Sequence, residues 1–160
     1  MEPQIEAQVG ELLRQRNLHL AVAESCTGGL IGDRLTNIPG SSEYFLGGVI
    51  AYAYEAKVRL LGVTWETLER FGAVSRETVL EMAMGVRLAL AADIGLSVSG
   101  IAGPGGGIPT KPVGLVWIGL STASANQAWS YQFNGDRRQV KEQSVEQALR
   151  LLADFLNSDG

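Results

Sequence analysis

The chain has 160 residues, 46% of them hydrophobic and 19% charged, with a formal net charge of −4. That length and balance suit one soluble globular domain with a proper core, and the acidic sign argues against a nucleic-acid surface. A single cysteine, Cys26, excludes an intrachain disulfide and argues against structural zinc, and no apolar run nears the roughly 18 residues of a membrane span. The first residues, Met-Glu-Pro-Gln-Ile-Glu, lack the basic and apolar regions of a signal peptide, so a cytoplasmic protein is expected.

In chain order, Ile5, Val9, Leu12 and Leu13 repeat at helical spacing behind Pro3, and Asn17 stops the helix. The apolar run Leu18 to Ala23 reads as a strand that breaks at Glu24-Ser-Cys-Thr-Gly-Gly29, and a helical pattern then runs to about Thr36. Strand, small polar turn and helix is how α/β folds present reactive or anion-holding groups, with Gly28 and Gly29 clearing space beside the backbone. Thr27, Gly28 and Gly29 are therefore candidate binding residues. Ser25 stands at that mouth, either as a reactive hydroxyl or as the N-cap of the helix.

Asn37 to Ser42 reads as a loop, and the aromatic, β-branched stretch Tyr44 to Tyr54 as a buried strand. A helix over Glu55–Leu61 ends at Gly62. Thr64 caps a short helix ending near Gly72, and Ser75 a longer one with Val79, Met82, Ala83, Val86 and Leu90 as its core stripe. Ile94 to Gly100 is another strand, followed by the long loop Ile101–Pro112. Val113–Thr122 and Gln127–Phe133 read as antiparallel strands, and Asp136 caps a last helix whose Val145, Ala148, Leu149, Leu152 and Phe155 face inward. Helices alternate with strands, so the expected fold class is α/β: a single-domain three-layer α/β/α sandwich with a mixed sheet, spanning residues 1–160.

The chemistry follows largely by elimination. His19 is the sole histidine and lies in the first strand. Gly-x-Ser-x-Gly, Walker A, His-Glu-x-x-His and Gly-x-Gly-x-x-Gly are all absent, and no carboxylate cluster sits at strand ends to hold a metal. No metal or cofactor is expected. What remains is a hydroxyl nucleophile, Ser25, activated by a lysine that burial keeps neutral. Lys57, at a strand-to-helix junction level with Ser25, is the candidate, against the alternative of a surface lysine. Tyr52 either relays a proton to it or is a core aromatic. The Gly103–Gly107 loop, including Gly105, follows a strand and offers backbone N–H groups as an anion nest. Arg137 and Arg138, at the start of the last helix, oppose its dipole and suggest an anionic partner there, unless they are simply solvated. Cys26 is the alternative nucleophile, or a small buried hydrophobe.

Glu24-Ser-Cys-Thr-Gly-Gly29, Pro39-Gly-Ser-Ser42, Gly47-Gly-Val-Ile-Ala-Tyr52 with Lys57, Gly62-Val63, Gly72-Ala-Val-Ser75, Gly100-Ile-Ala-Gly-Pro104, Lys111-Pro-Val-Gly114 and Gly135-Asp-Arg137 occur in that order. Together they resemble the C-terminal domain of the competence/damage-inducible protein CinA, a family that includes nicotinamide-nucleotide amidases. The resemblance runs from about Ile5 to Phe155. It implies hydrolysis of the carboxamide of nicotinamide mononucleotide to nicotinate mononucleotide and ammonia. It also implies Ser25 as nucleophile, Lys57 as general base, Tyr52 as an assisting residue, and Ser42, Ser99 and Arg137 around the substrate. The implied partner is a small nucleotide, with no nucleic acid or membrane, and a homo-oligomer is expected. No N-terminal domain of the kind found in longer members is expected here, nor any activity belonging to it. Ser99 replaces a commoner threonine, Tyr54 a commoner asparagine and Ile108 a small hydroxyl residue, which bears on substrate fit. Two other readings stand beside the amidase: a nucleotide- or phosphate-binding module without turnover, and an amidase acting on another small amide.

Overall fold

A computed structural model describes residues 3–158. Six helices and five strands build the expected three layers as a single domain. The sheet has the order β2-β1-β3-β4-β5, with β1 (Leu20–Glu24), β2 (Phe45–Ile50), β3 (Ile94–Gly100), β4 (Leu115–Ser121) and β5 (Asn126–Gln132). β1 pairs in parallel with β2 and β3, and β4 is antiparallel to both β3 and β5. β5 therefore points the same way as β1, β2 and β3. Four of the five strands end at one edge of the sheet.

On one face lie α1 (Ile5–Gln15), α2 (Leu30–Thr36) and α6 (Arg137–Ser158), over a core that includes Leu20, Val22, Leu96, Val98 and Ile118. On the other lie α3 (Tyr54–Leu61), α4 (Trp65–Phe71) and α5 (Arg76–Ala89), over a smaller core containing Ala21 and Ala23. Alternation along β1 divides its side chains between the two cores. The chain moves from β1 to β2 over the first face and from β2 back past β1 to β3 over the second. Connections leave β1 and β3 on opposite sides, which opens a crevice beyond their carboxyl ends.

The predicted caps Thr64, Ser75 and Asp136 are present, accepting from the N–H groups of Thr67, Thr78 and Gln139. Two expectations need correcting. The stretch Tyr44 to Tyr54 is not one buried strand; β2 stops at Ile50 and alternates between half-buried and exposed, because it lies at a sheet edge. Beyond it, the Ala51 and Tyr52 carbonyls turn inward to a side chain, so the ladder cannot continue. Leu90 falls past the end of α5 and is 37% exposed, outside the core stripe.

α5 presses closely on α3. A Cβ on Gly85 would lie 1.8 Å from the Leu61 carbonyl oxygen, so only glycine permits this approach. Gly85→Ala is expected to cost about 3 kcal/mol, as overpacking against an immobile backbone. Urea unfolding at neutral pH measures it, and a loss under ~0.5 kcal/mol would mean that α3 shifts freely.

Candidate active site

Four segments meet at the shared strand edge: the turn after β1, the β2–α3 connection, the end of β3 with its following loop, and the start of α6. They enclose an open cavity of about 250 Å³, lined among others by Ser25, Lys57, Ser99, Gly103 and Arg137.

Ser25 does not cap the next helix. The N-cap of α2 is Gly29, in a left-handed conformation with φ 103°, and three residues, Cys26 to Gly28, separate it from Ser25. The Ser25 hydroxyl instead meets Lys57, whose Nζ lies 3.0 Å from Oγ. Lys57 is 1% exposed, so the surface-lysine alternative is excluded. Its Nζ also donates to the carbonyls of Ala51 at 2.9 Å and Tyr52 at 3.0 Å. Burial disfavours the ammonium and pulls Lys57 down to about 8. In the neutral amine, two N–H groups stay on the two carbonyls and the lone pair faces the Ser25 hydroxyl. That is the geometry of a base beside its nucleophile. Cys26 is buried too, and there burial pushes the thiol up to about 12, so it stands as a protonated lining group.

The α2 N-terminus is already occupied. Glu24, 2% exposed, places Oε1 2.6 Å from the Thr27 hydroxyl, 3.2 Å from the Gly29 N–H and 2.9 Å from the Ile31 N–H, while Oε2 accepts from Gly32 at 3.1 Å. This carboxylate takes the place an anionic ligand would have taken at the helix dipole. Thr27, Gly28 and Gly29 consequently shape the turn and do not line the cavity.

The loop after β3 is different. Among the described residues, the N–H groups of Ala102, Gly103, Gly105, Gly106 and Gly107 meet no acceptor in the chain. Ser99, 1% exposed, lines the cavity with its hydroxyl free of any partner in the protein. Arg137 spans the mouth, donating from Nη1 to the Gly103 carbonyl at 2.6 Å and from Nη2 to the Tyr52 hydroxyl at 2.8 Å. Tyr52 is 61% exposed, so it is no core aromatic. Its carbonyl holds Lys57 and its hydroxyl holds Arg137.

Comparison with known proteins gives the family. The family model described as the CinA C-terminal domain matches residues 2–156. The chain belongs to the CinA C-terminal domain family. A CinA-like protein of Chloroherpeton thalassium is 51% identical over 158 residues, covering 96% of this chain and 38% of that protein. A CinA-like protein of Kosmotoga olearia is 48% identical over 148 residues, covering 92% of this chain and 36% of that one. The chain thus spans less than two-fifths of the length of these curated relatives. Among solved structures, a CinA superfamily protein from Klebsiella pneumoniae superposes with a TM-score of 0.93 at 34% identity, covering 96% of each chain. The competence/damage inducible protein CihA from Agrobacterium tumefaciens gives 0.89 at 38%, covering 98% of this chain and 99% of its own.

Of the candidate site residues read from the sequence, Ser25, Lys57, Tyr52, Ser99, Gly103, Gly105 and Arg137 come together around the cavity. Ser42 does not. It is exposed in a 3₁₀ turn before β2, at the opposite end of the strands, and in this chain it stands apart from the cavity. Arg138 also points away, with Nε on Glu142 at 2.9 Å. Tyr54 and Ile108 border a neighbouring surface depression that shares Ala73, Val74, Ile101 and Gly106 with the cavity. Glu24 was missed in sequence, and its signal was an acid immediately ahead of a Ser-x-Thr-Gly-Gly helix start. Among the described residues no group of three His, Cys, Asp or Glu stands ready for a metal, and no helix is long and apolar enough to cross a membrane.

Because burial lowers Lys57 from 10.5 to about 8, the unfolded chain binds more protons between those values, and stability rises with pH across that window. Relative to Lys57→Met, the wild type is expected to gain up to ~3 kcal/mol between pH 8 and 10.5. Parallel urea titrations of the two proteins measure the difference. A difference that stays flat across the window would show that Lys57 is not held near neutrality.

Proposed function

We propose that this domain is an amidohydrolase acting on nicotinamide mononucleotide, releasing ammonia and nicotinate mononucleotide by a Ser-Lys mechanism. The observation that carries the reading is the 3.0 Å contact between Ser25 Oγ and a buried Lys57 whose pKa is lowered to about 8. A phosphate-binding module needs no buried, deprotonated amine beside a serine, and the lysine has no carboxylate to explain its burial.

Neutral Lys57 takes the Ser25 proton as Oγ attacks the carboxamide carbon. The carbonyl oxygen, now negative, needs preorganised donors. The Cys26 N–H, next to the nucleophile and without an acceptor in the chain, is one, and the Ser99 hydroxyl on β3 is a second. Protonated Lys57 then gives its proton to the departing ammonia, and the C–N bond breaks to leave an acyl ester on Ser25. Water, with Lys57 again as base, hydrolyses the ester and restores the hydroxyl. The Ala51 and Tyr52 carbonyls hold Lys57 in place during both transfers and stabilise its transient charge. At the mouth, Arg137 and the unpaired N–H groups of Gly103 to Gly107 are suited to the nucleotide phosphate.

Ammonia release from nicotinamide mononucleotide, with chelator present, tests the proposal. Ser25→Ala and Lys57→Ala are each expected to lose at least ~10³-fold in kcat, and the double variant little more, since the two act as one unit. A wild type that binds the nucleotide without turnover would sink the amidase reading in favour of a binding module.

The kcat profile is expected to rise with pH through an acid limb near 8, as Lys57 loses its proton, and then to level off. A limb near 6 or a flat profile would point to a different base.

A further inference from the structure

The cations of α6 divide by partner. Arg138 pairs with Glu142 at 2.9 Å and Arg150 with Glu146 at 2.8 Å, both at the i,i+4 spacing of a solvated helix face. Arg137 meets only neutral acceptors, the Gly103 carbonyl and the Tyr52 hydroxyl. Lys141, one turn further along the same face, makes no hydrogen bond or ion pair among the described residues. Its ammonium lies 3.7 Å from where a Cβ on Gly28 would stand, which sets it against the turn that carries Ser25. No side chain occupies Gly28, and the ammonium stands beside the turn, just outside the lining of the cavity. The Cys26 and Thr27 N–H groups on that turn also meet no acceptor in the chain.

An anion arriving at this mouth cannot use the α2 N-terminus, because Glu24 has filled it. The positive charge it needs must come from elsewhere, and the two cations of α6 without carboxylates stand four residues apart on the face that looks at the turn. Were they ordinary solvated residues, they would be expected to find acids on this helix as Arg138 and Arg150 do.

We propose that Lys141 is a phosphate ligand, completing with Arg137 a two-cation seat for the phosphomonoester of the substrate and setting the preference for a phosphorylated over an unphosphorylated nucleoside amide. The inference rests on the nucleotide reading of the site but not on turnover. Lys141 therefore contributes to binding through charge, and Arg137 through charge and the planar fork it already presents to Gly103 and Tyr52.

The test is calorimetric binding of nicotinamide mononucleotide and of nicotinamide riboside to Ser25→Ala, alone and combined with Lys141→Met, Lys141→Arg or Arg138→Met. Lys141→Met is expected to weaken the mononucleotide about tenfold and the riboside less than about twofold, the effect of one lost charge at a half-buried anion site. Lys141→Arg should keep most of the mononucleotide affinity, and Arg138→Met should change neither ligand. Equal weakening of both ligands would mean that Lys141 only supports the turn, and would overturn the proposal. So would unchanged affinity, or failure of Ser25→Ala to bind the mononucleotide at all. The amidase reading is judged separately, by ammonia release from the wild type, so either idea can fail while the other survives.

Discussion

The structure depends on a lysine buried without a carboxylate. Lys57 is 1% exposed, its nitrogen is surrounded by two backbone carbonyls and one hydroxyl, and no acid shares the pocket to keep it charged. An isolated buried ammonium is expensive, and the inexpensive escape is loss of the proton. The fold arranges that escape with ordinary parts. β2 ends four residues earlier than its composition suggests, and the Ala51 and Tyr52 carbonyls turn toward Lys57 of α3. Gly85 lets α5 press on the end of α3, and that pressure fixes the helix whose first half carries the lysine. The same cost that burdens folding supplies a base near neutral pH.

A second buried charge, Glu24, shows the opposite solution. Its carboxyl group accepts from four donors of the turn and the first residues of α2, at the positive end of the helix. It thereby rigidifies the turn on which Ser25 stands and closes the helix terminus to other anions. The nucleophile is held from below by a carboxylate network and approached from the side by an amine, and the two networks do not share a hydrogen bond.

Most of the fold was legible in sequence because its signals are local. Thr64 and Ser75 announce their helices, Gly62 ends another, and the strand from Ile94 to Gly100 matches its apolar run residue for residue. The candidate site was legible only in part. Ser25 and Lys57 were found because both follow strands, and parallel strands bring their ends together. Sequence alone left Ser25 open between cap and nucleophile, and the interposed turn ending at Gly29 removes the cap reading. Glu24 was not legible, because its role depends on a carboxylate reaching back over the residues that follow it. Lys141 was not legible either, since only its approach to Gly28 and its lack of a carboxylate partner distinguish it from Arg150. Ser42 belongs to a block that the resemblance placed near the substrate, but spacing along a chain does not say at which end of a strand a residue stands.

The separation of charge across the cavity bears on how a lysine base tolerates an anionic substrate. A dianion near a neutral amine favours its protonation and would remove the base at the moment it is needed. The cations of the rim lie on α6 and the backbone donors on the loop after β3, whereas Lys57 lies on the floor between carbonyls. A phosphate met by positive charge at the rim projects little net field onto the floor, and the dry walls of Ala73, Val74 and Ile101 need not screen it. Burial, not rim charge, is the cause that lowers Lys57. On the proposed reading, the rim keeps that setting when an anionic substrate arrives.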